Sequence, residues 1–229
     1  MKTFAFIFAR GGSKGLPGKN ILNLAGIPLL AHSILLAKKI KSISRVFVST
    51  DDNKIANVAI KYGAEVIIRP KELAGDNSSE WLAWRHAIES LHENNEFFDK
   101  FISLPTTSPL RNVNDINKCL NRLDSNTDIV ITTTETSRSP FFNMVKNENG
   151  NVRLLIETEE LYLRRQDVPK AFNMTTVAYV SRPDYILKRD GIFQGRVKSV
   201  LIPSERAIDI DNKFDFEIAE LLMKKRDKG

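Results

Sequence analysis

The fold of this protein is set by the stretch Phe6-Ile7-Phe8-Ala9-Arg10-Gly11-Gly12-Ser13-Lys14-Gly15-Leu16-Pro17-Gly18-Lys19-Asn20, in which an apolar run leads into a glycine-rich loop. The loop contains three cations, four glycines and no acidic residue. Glycine lets the backbone approach a ligand and turn its N–H groups toward it, and Lys and Arg neutralise phosphate charge. The stretch predicts a buried first strand that ends in an anion-binding loop, in preference to a flexible basic surface loop.

The positive charge of the chain is concentrated around this loop. The 229 residues carry a formal net charge of +6, and residues 1–50 contain eight Lys or Arg residues but no Asp or Glu. A groove for nucleic acid more often combines dispersed cations with exposed aromatic residues. A small, highly charged ligand such as a nucleoside triphosphate fits the pattern better, and we expect no nucleic-acid partner.

Composition argues against two other classes of protein. No apolar run approaches the roughly 20 residues of a membrane-spanning helix, so we expect no membrane association. The single cysteine, Cys119, allows neither a disulfide framework nor a cysteine metal cluster. These features predict a protein of the reducing cytoplasm.

Strands and helices alternate over the first 135 residues. Apolar, β-branched segments predict strands at 3–9, 45–50, 65–69, 101–104 and 128–134. Amphipathic segments between them predict helices, the first opening near Pro28 and running to about residue 41. Repeated strand–helix–strand units predict an α/β fold with a mostly parallel central sheet and helices on both faces. Ligands are then expected at the carboxyl ends of the strands.

The pattern changes from about residue 137. Residues 141–156 predict a hairpin because Asn149-Gly150 favours a type I′ turn, and a polar stretch follows. The remaining predicted elements are strands at 174–180 and 197–202 and a helix at 214–225. We therefore predict a single domain over residues 1–229, with residues 137–172 inserted as an arm.

The basic loop lacks the two most common phosphate signatures. A Walker-type loop ending at Gly18-Lys19 would need glycine at position 13 and Ser or Thr at position 20, where the chain has Ser13 and Asn20. Residues 11–15 do not supply the Gly-x-Gly-x-x-Gly of dinucleotide-binding folds. A different type of nucleotide contact is therefore required.

Asp209-Ile210-Asp211 is a candidate metal site. On an extended segment, alternation turns both carboxylates to one face and Ile210 toward the core. Two acids on one face repel each other unless a cation lies between them, and Mg²⁺ binds through one or two carboxylates plus substrate phosphates. The alternative is a solvated acidic pair before the closing helix.

Residues 9–20 resemble the nucleotide loop of the acylneuraminate cytidylyltransferases, which activate sialic and related nonulosonic acids with CTP. Five further segments match this family in order along the chain: Val48-Ser49-Thr50-Asp51, Arg69-Pro70-Lys71-Glu72-Leu73-Ala74, Thr107-Ser108-Pro109-Leu110-Arg111, Arg165-Gln166 and Asp209-Ile210-Asp211. The resemblance spans nearly the whole chain and implies a Rossmann-like nucleotidyltransferase.

The resemblance also implies roles for individual residues. It gives catalytic roles to Arg10, Lys19 and Asp211. Arg10 and Lys19 would bind the CTP phosphates, and Asp211 would hold Mg²⁺ together with Asp209. The residues implied to contact CTP are Ala9, Arg10, Gly11, Gly12, Ser13, Lys19, Asn20, Arg69 and Ser79. Those implied for the acceptor sugar are Thr106, Arg165, Gln166, Phe172 and Thr175. In the family the arm crosses to a second subunit, so a homodimer is implied, with Arg165 and Gln166 near the partner's sugar pocket.

Two segments depart from the usual family pattern. Pro105-Thr106 stands where the sialic acid members usually carry Gln-Pro, and Thr175-Thr176-Val177 stands where they carry Asn-Gly-Ala. Both segments border the base or acceptor side of the site. N-acetylneuraminate itself is therefore not implied as the acceptor.

The predicted reaction is transfer of CMP from CTP to the anomeric hydroxyl of a nonulosonic sugar acid, with release of pyrophosphate. One alternative is a cytidylyltransferase for 3-deoxy-octulosonate or a polyol phosphate. Another is a non-catalytic CTP-sensing or nucleic-acid-binding protein.

Overall fold

The computed structural model describes residues 1–75, 78–159 and 162–226. In chain order the strands are β1 (Thr3–Phe8), β2 (Asn23–Leu24), β3 (Ile27–Pro28), β4 (Ile43–Thr50), β5 (Glu65–Ile68), β6 (Lys100–Ser103), β7 (Ile129–Glu135), β8 (Val145–Glu148), β9 (Asn151–Leu154), β10 (Phe172–Ser181) and β11 (Val197–Leu201). The α-helices are α1 (Leu29–Lys38), α2 (Asn53–Lys61), α3 (Glu80–Glu93), α4 (Val113–Arg122), α5 (Pro183–Lys188) and α6 (Lys213–Arg226).

Seven strands form one central sheet, in the order β11-β7-β10-β6-β1-β4-β5. Strand β1 pairs in parallel with β4 and β6, β4 with β5, and β7 with β11. Strand β10 runs antiparallel between β6 and β7. The prediction of a mostly parallel sheet is confirmed, and β10 is its one reversed member.

Helices cover both faces of the sheet, as predicted. Side chains along β1 point alternately to the two faces of the sheet. Ala5 and Ile7 pack with α1, α2 and α4, whereas Phe4 and Phe6 pack with α3 and α5. Helix α6 belongs to a smaller cluster in which Met223 packs with Ile210. Among the described residues, no helix is long and apolar enough to cross a membrane.

The start of α1 differs from the sequence prediction. Residues Ile27 and Pro28 form β3, which pairs with β2, and the helix begins only at Leu29. Pro28 has φ −55° and ψ 141°, so it is the extended residue before the helix and not its first residue. The helix also ends at Lys38, earlier than predicted. Helix α5, which begins with Pro183, was not predicted at all.

The arm contains a separate two-stranded hairpin, as predicted. Strands β8 and β9 pair with each other and not with the central sheet. Asn149 and Gly150 have φ values of 53° and 86°, so both turn residues lie in the left-handed region that a type I′ turn requires. The arm between β7 and β10 exposes a set of large apolar side chains: Met144, Val145, Val152, Leu155, Ile156, Leu163 and Phe172.

Candidate active site

A cavity of about 350 Å³ lies at the carboxyl ends of β1 and β6. Its walls include Arg10, Ser13 and Lys19 from the basic loop, Thr107 from the segment after β6, and Asp211 from the segment before α6. Three parts of the chain that are distant in sequence therefore meet here, at the edge of the sheet where ligands were expected.

The basic loop is fixed by backbone contacts along its length. The Ala9 amide donates to the Ser49 carbonyl oxygen at 3.1 Å, and the Gly11 amide donates to Asp51 Oδ1 at 3.0 Å. A Cβ on Gly15 would lie 2.3 Å from the Asp211 carbonyl oxygen, so only glycine allows this close approach. Open space surrounds the Cβ position of Gly12, where a ligand could approach the backbone.

Asn20 joins the loop to the sheet from a buried position. Its Nδ2 donates to the Arg10 carbonyl oxygen at 3.0 Å, and its Oδ1 accepts from Thr106 Oγ1 at 2.6 Å. Asn20 and Thr106 are both almost fully buried. The resemblance implies that Asn20 contacts CTP and that Thr106 contacts the acceptor. In the structure these two side chains bond to each other, and their contact with a substrate stays a prediction.

Lys19 connects the loop to the acidic segment. Its Nζ donates to the Ile210 carbonyl oxygen and lies 3.5 Å from Asp211 Oδ1. The Lys19 side chain is mostly buried, whereas the Asp211 side chain is 76% exposed. A cation and a carboxylate therefore border the same cavity, and the carboxylate remains open to a ligand.

Ile210 is fully buried, as predicted, and Asp211 is exposed, whereas Asp209 is only partly exposed. Asp209 Oδ1 is buried and has no hydrogen-bond partner among the described residues. A buried carboxylate oxygen without a donor is costly unless a cation can approach it, so the segment fits a bound Mg²⁺. Within the described part of the chain, no three His, Cys, Asp or Glu side chains form a metal cluster. Phosphate oxygens would have to complete the coordination, which is usual for Mg²⁺.

A second cavity, of about 210 Å³, adjoins the first and shares Phe8 and Arg10 with it. Arg69 lies in its wall and is almost fully buried. Its Nε donates to Ser49 Oγ at 3.1 Å and its Nη2 donates to the Ser49 carbonyl oxygen at 2.8 Å. Desolvation by burial lowers the pKa of Arg69, and the nearby Asp51 carboxylate partly opposes this shift.

Glu80 faces this second cavity at the start of α3, and no sequence motif placed it in the site. Its Oε1 accepts from Trp84 Nε1 at 3.0 Å. Part of its surface opens into the cavity, yet surrounding protein raises its pKa by desolvation, against the opposing effects of Trp84 and Arg69. Ser79 lies beside it as the helix cap, where its Oγ accepts from the Trp81 amide at 3.2 Å.

The residues that depart from the usual pattern near the acceptor side belong to two separate sets of hydrogen-bonded hydroxyl groups. Thr175 is buried and its Oγ1 donates to Thr132 Oγ1 at 2.7 Å. The next hydroxyl, Thr176 Oγ1, lies 2.7 Å from Ser108 Oγ and accepts from Thr107 Oγ1 at 3.3 Å. Of these side chains, Thr107 lines the cavity beside the loop, so it is a further candidate for contact with the acceptor.

The arm residues implied for the acceptor lie elsewhere. Gln166 and Phe172 line a cavity of about 430 Å³ formed by the arm itself, together with Arg138. Arg165 and Gln166 belong to a single turn, Arg165–Asp167. Within one chain, the part of the structure described here does not bring Gln166 or Phe172 into the cavity of the basic loop.

Arg111, at the end of the Thr-Ser-Pro-Leu-Arg motif, is a structural residue. It is 2% exposed, and its guanidinium donates to the carbonyl oxygens of Val177 and Pro105 and to Ser33 Oγ. Burial lowers its pKa to about 9. The motif is thus explained in part by the need to join β10 to the segment after β6.

The fold and the two adjoining cavities define an α/β protein of the nucleotidyltransferase type. The chain belongs to the cytidylyltransferase family, whose sequence profile matches residues 4–226. Membership of this family confirms the resemblance described above and the predicted class of enzyme.

Several known proteins are similar to this chain over nearly its whole length. Post-translational flagellin modification protein B of Campylobacter coli is 34% identical, over 96% of this chain and 94% of that protein. CMP-N,N'-diacetyllegionaminic acid synthase of Campylobacter jejuni is 34% identical, over 95% of this chain and 93% of that protein. Pseudaminic acid cytidylyltransferase of Campylobacter jejuni is 33% identical, over 98% of this chain and 97% of that protein.

A solved structure supports the fold. CMP:2-keto-3-deoxy-manno-octonic acid synthetase, complexed with CTP, superimposes with a TM-score of 0.74 over 99% of this chain and 100% of that one. The two sequences are 18% identical, so the likeness is one of fold.

Proposed function

We propose that this chain transfers CMP from CTP to the anomeric hydroxyl of a nonulosonic sugar acid and releases pyrophosphate. One observation carries the proposal: Lys19 Nζ bonds to the Ile210 carbonyl and lies 3.5 Å from Asp211, so the cations of the basic loop and a carboxylate of the candidate metal site border one cavity. The relatives named for legionaminic and pseudaminic acids support a nonulosonic acceptor.

In the proposed reaction, the anomeric oxygen attacks the α-phosphorus of CTP. A new P–O bond forms, the bond to the β-phosphate oxygen breaks, and the hydroxyl proton is lost to solvent. Such transfers depend mainly on positioning and on stabilisation of charge. Arg10 can hold two phosphate oxygens in a fork, and Lys19 offers a point charge to the leaving pyrophosphate.

Asp209 and Asp211 are the residues that would hold Mg²⁺. When bound there, the ion would neutralise charge on the triphosphate and position it for attack. The chain's own contribution is to keep Asp211 exposed on the cavity and, among the described residues, to leave Asp209 Oδ1 without a hydrogen-bond partner.

CTP would lie across both cavities. Its phosphates would contact the backbone of residues 9–13, together with Lys19, and its base would enter the cavity that contains Arg69 and borders Ser79. Thr107, beside the phosphates, would face the acceptor.

We further propose a homodimer in which the arm contacts a second copy of the chain. Val145 and Val152 on the hairpin are 60% and 61% exposed, and Phe172 at the base of the arm is 48% exposed. A cluster of exposed apolar side chains on a protruding segment is typical of an interaction surface. In such a dimer, Arg165, Gln166 and Phe172 would complete the partner's acceptor pocket. A cytoplasmic setting would suit the free, buried thiol of Cys119.

A panel of acceptors tests the proposed function. The purified chain would be incubated with CTP, Mg²⁺ and, in separate reactions, legionaminic-type, pseudaminic-type and neuraminic acids, 3-deoxy-octulosonate and a polyol phosphate. Pyrophosphate release should require both Mg²⁺ and a nonulosonic acid, and chelation by EDTA should stop it. A chain that stays inert with every nonulosonic acid would refute the proposal, and turnover with octulosonate or polyol phosphate alone would favour the alternative.

A further inference from the structure

We infer that Glu80 selects the cytosine base by accepting a hydrogen bond from its exocyclic amine, so that the chain uses CTP in preference to UTP. The inference rests on the proposed function, because it assumes a nucleotide whose phosphates bind at the basic loop. It concerns a residue that neither the sequence motifs nor the resemblance placed in the site.

The position of the second cavity supports this assignment. It shares Phe8 and Arg10 with the cavity of the basic loop, so a nucleotide with its phosphates near Arg10 has its base within reach of Glu80. Phe8 and Leu73 supply apolar wall, and Arg69 and Glu80 supply a donor and an acceptor. A concave pocket in which apolar wall lies beside a few convergent polar groups can hold and orient a small planar ligand.

Within the described residues, only one oxygen of the Glu80 carboxylate is held by a hydrogen bond. Trp84 Nε1 donates to Oε1 at 3.0 Å, and the Trp84 ring packs against Phe101 and Tyr179 with centroids 5.4 Å and 5.2 Å away. Among the described residues, no donor bonds to the second oxygen, Oε2. In the same cavity wall, Ser78 Oγ is buried and has no hydrogen-bond partner among the residues described. The unpaired Ser78 Oγ and the open Glu80 oxygen are both available to a polar ligand in this cavity.

Glu80 distinguishes the two pyrimidines at position 4, which Arg69 does not when it donates only to the carbonyl at position 2. Cytosine carries an amine donor at position 4, whereas uracil carries a carbonyl acceptor there. A carboxylate can accept a hydrogen bond from the cytosine amine. A guanidinium can donate to the carbonyl at position 2, which both bases share. With UTP, the Glu80 carboxylate would face an oxygen, so two acceptors would meet without a proton between them.

The surroundings of Glu80 make this contact effective. Desolvation by the surrounding protein raises the pKa of Glu80, although part of its surface opens into the cavity; the bond from Trp84 and the charge of Arg69 lower the pKa, and the charge of Asp209 raises it. A hydrogen bond to a partly desolvated carboxylate is stronger than one to a fully solvated carboxylate. A site built in this way rejects an analogue that lacks the matching donor.

The substitution Glu80→Gln tests the inference, with Glu89→Gln as the matched control on the exposed side of α3. The measurement is kcat/KM for CTP and for UTP on the same preparation, so any loss of folded protein cancels in the ratio. We expect the wild type to prefer CTP and the Glu80→Gln variant to lose about tenfold to a hundredfold of that preference. The Glu89→Gln variant should keep the wild-type ratio.

The outcome is distinguishable from failure of the proposed function. If no acceptor supports turnover, calorimetric titration of CTP and UTP into the same three proteins still reads the preference as a ratio of dissociation constants. A Glu80→Gln variant that keeps the wild-type ratio, or a wild type that does not distinguish CTP from UTP, would overturn the inference.

Discussion

Single buried hydrogen bonds hold the basic loop in its shape, and the amide of Asn20 is central among them. It joins the Arg10 carbonyl to Thr106 Oγ1 through bonds of 3.0 Å and 2.6 Å. Removing one partner of a buried pair leaves the other unsatisfied, which costs more than the net energy of the bond. We therefore expect the geometry of the loop to change when the Thr106 hydroxyl is removed, even though this side chain is almost fully buried.

We predict that Thr106→Val weakens CTP binding. The change preserves volume but leaves Asn20 Oδ1 without its donor, at a cost of about 1–3 kcal/mol. The KM for CTP should rise severalfold, with a smaller change in kcat. Thr106→Ser keeps the hydroxyl and should restore a near wild-type KM. Equal KM values for the Val and Ser variants would contradict the proposed role of the hydroxyl.

We predict that Asp211→Ala abolishes turnover, by at least a hundredfold, without unfolding the protein. The side chain is 76% exposed, so its loss should leave the melting temperature nearly unchanged. Pyrophosphate release at saturating Mg²⁺ and thermal melting measure the two effects. Asp184→Ala, which removes an exposed carboxylate paired with Lys188 far from the loop, is the control. Wild-type turnover in Asp211→Ala would remove this residue from the metal site.

At the scale of elements, one ion pair fixes the segment that carries the two aspartates. Asp115 in the first turn of α4 closes a capping box with Asn112, and it also accepts from Arg206 Nε at 2.9 Å and Nη2 at 3.1 Å. The Asp115 side chain is 1% exposed. The pair thus joins the start of α4 to the chain just before Asp209.

We predict that Arg206→Met lowers the free energy of unfolding by about 2 kcal/mol. The substitution leaves a buried carboxylate with its backbone bond but without its counter-ion. Urea unfolding near pH 7 measures the loss. Glu205→Gln removes only a surface contact of 3.5 Å to the same guanidinium, and it should change stability by less than about 0.5 kcal/mol. Similar stabilities for the two variants would show that the buried pair contributes nothing.

The pairing of β11 with β7 depends on a second carboxylate. Asp128 accepts from the backbone amide, Nε and Nη2 of Arg196 at 2.7–3.0 Å. These bonds lower the pKa of Asp128 from 3.8 to about 2. A carboxylate with a lowered folded-state pKa stabilises the fold above the unfolded pKa, and this contribution is lost as the pH falls through the folded pKa.

We therefore predict that Asp128→Asn costs about 1 kcal/mol at pH 6, after allowance for solvent screening, and less as the pH falls from about 4 to 2. Urea unfolding of the wild type and the variant at pH 6 and pH 3 measures the difference. A stability difference that stays constant over this range would contradict the assigned pKa effect.

At the scale of the whole molecule, the arm is the part of the chain that the central sheet does not require. Its hairpin pairs only with itself and exposes apolar side chains. We predict a dimer in sedimentation at micromolar concentration, and we predict that Val152→Glu shifts it toward monomer because a charge would be buried in the contact. Lys146→Gln on the same hairpin is the control and should stay dimeric. A wild-type monomer at this concentration would count against the crossing arm.

The sequence predicted the alternating strands and helices well because hydrophobic periodicity reports burial directly. It also predicted the hairpin turn, since Asn149-Gly150 suits a backbone with two positive φ values. It did not predict the reversed direction of β10, because a strand's periodicity is the same in a parallel and an antiparallel pair. The late start of α1 was missed because Pro28 suits both the first residue of a helix and the extended residue before it.

The amino-acid sequence by itself determined the α/β class, the basic loop at the end of β1 and the family to which the chain belongs, since these follow from local pattern and motif. Only the tertiary structure decided which distant groups meet. Lys19 reaches the carbonyl of Ile210, Thr106 bonds to Asn20, and Glu80 faces Arg69 across a cavity. These pairings join residues 11 to 191 positions apart and leave no trace in local periodicity, because packing of the sheet and its helices brings them together.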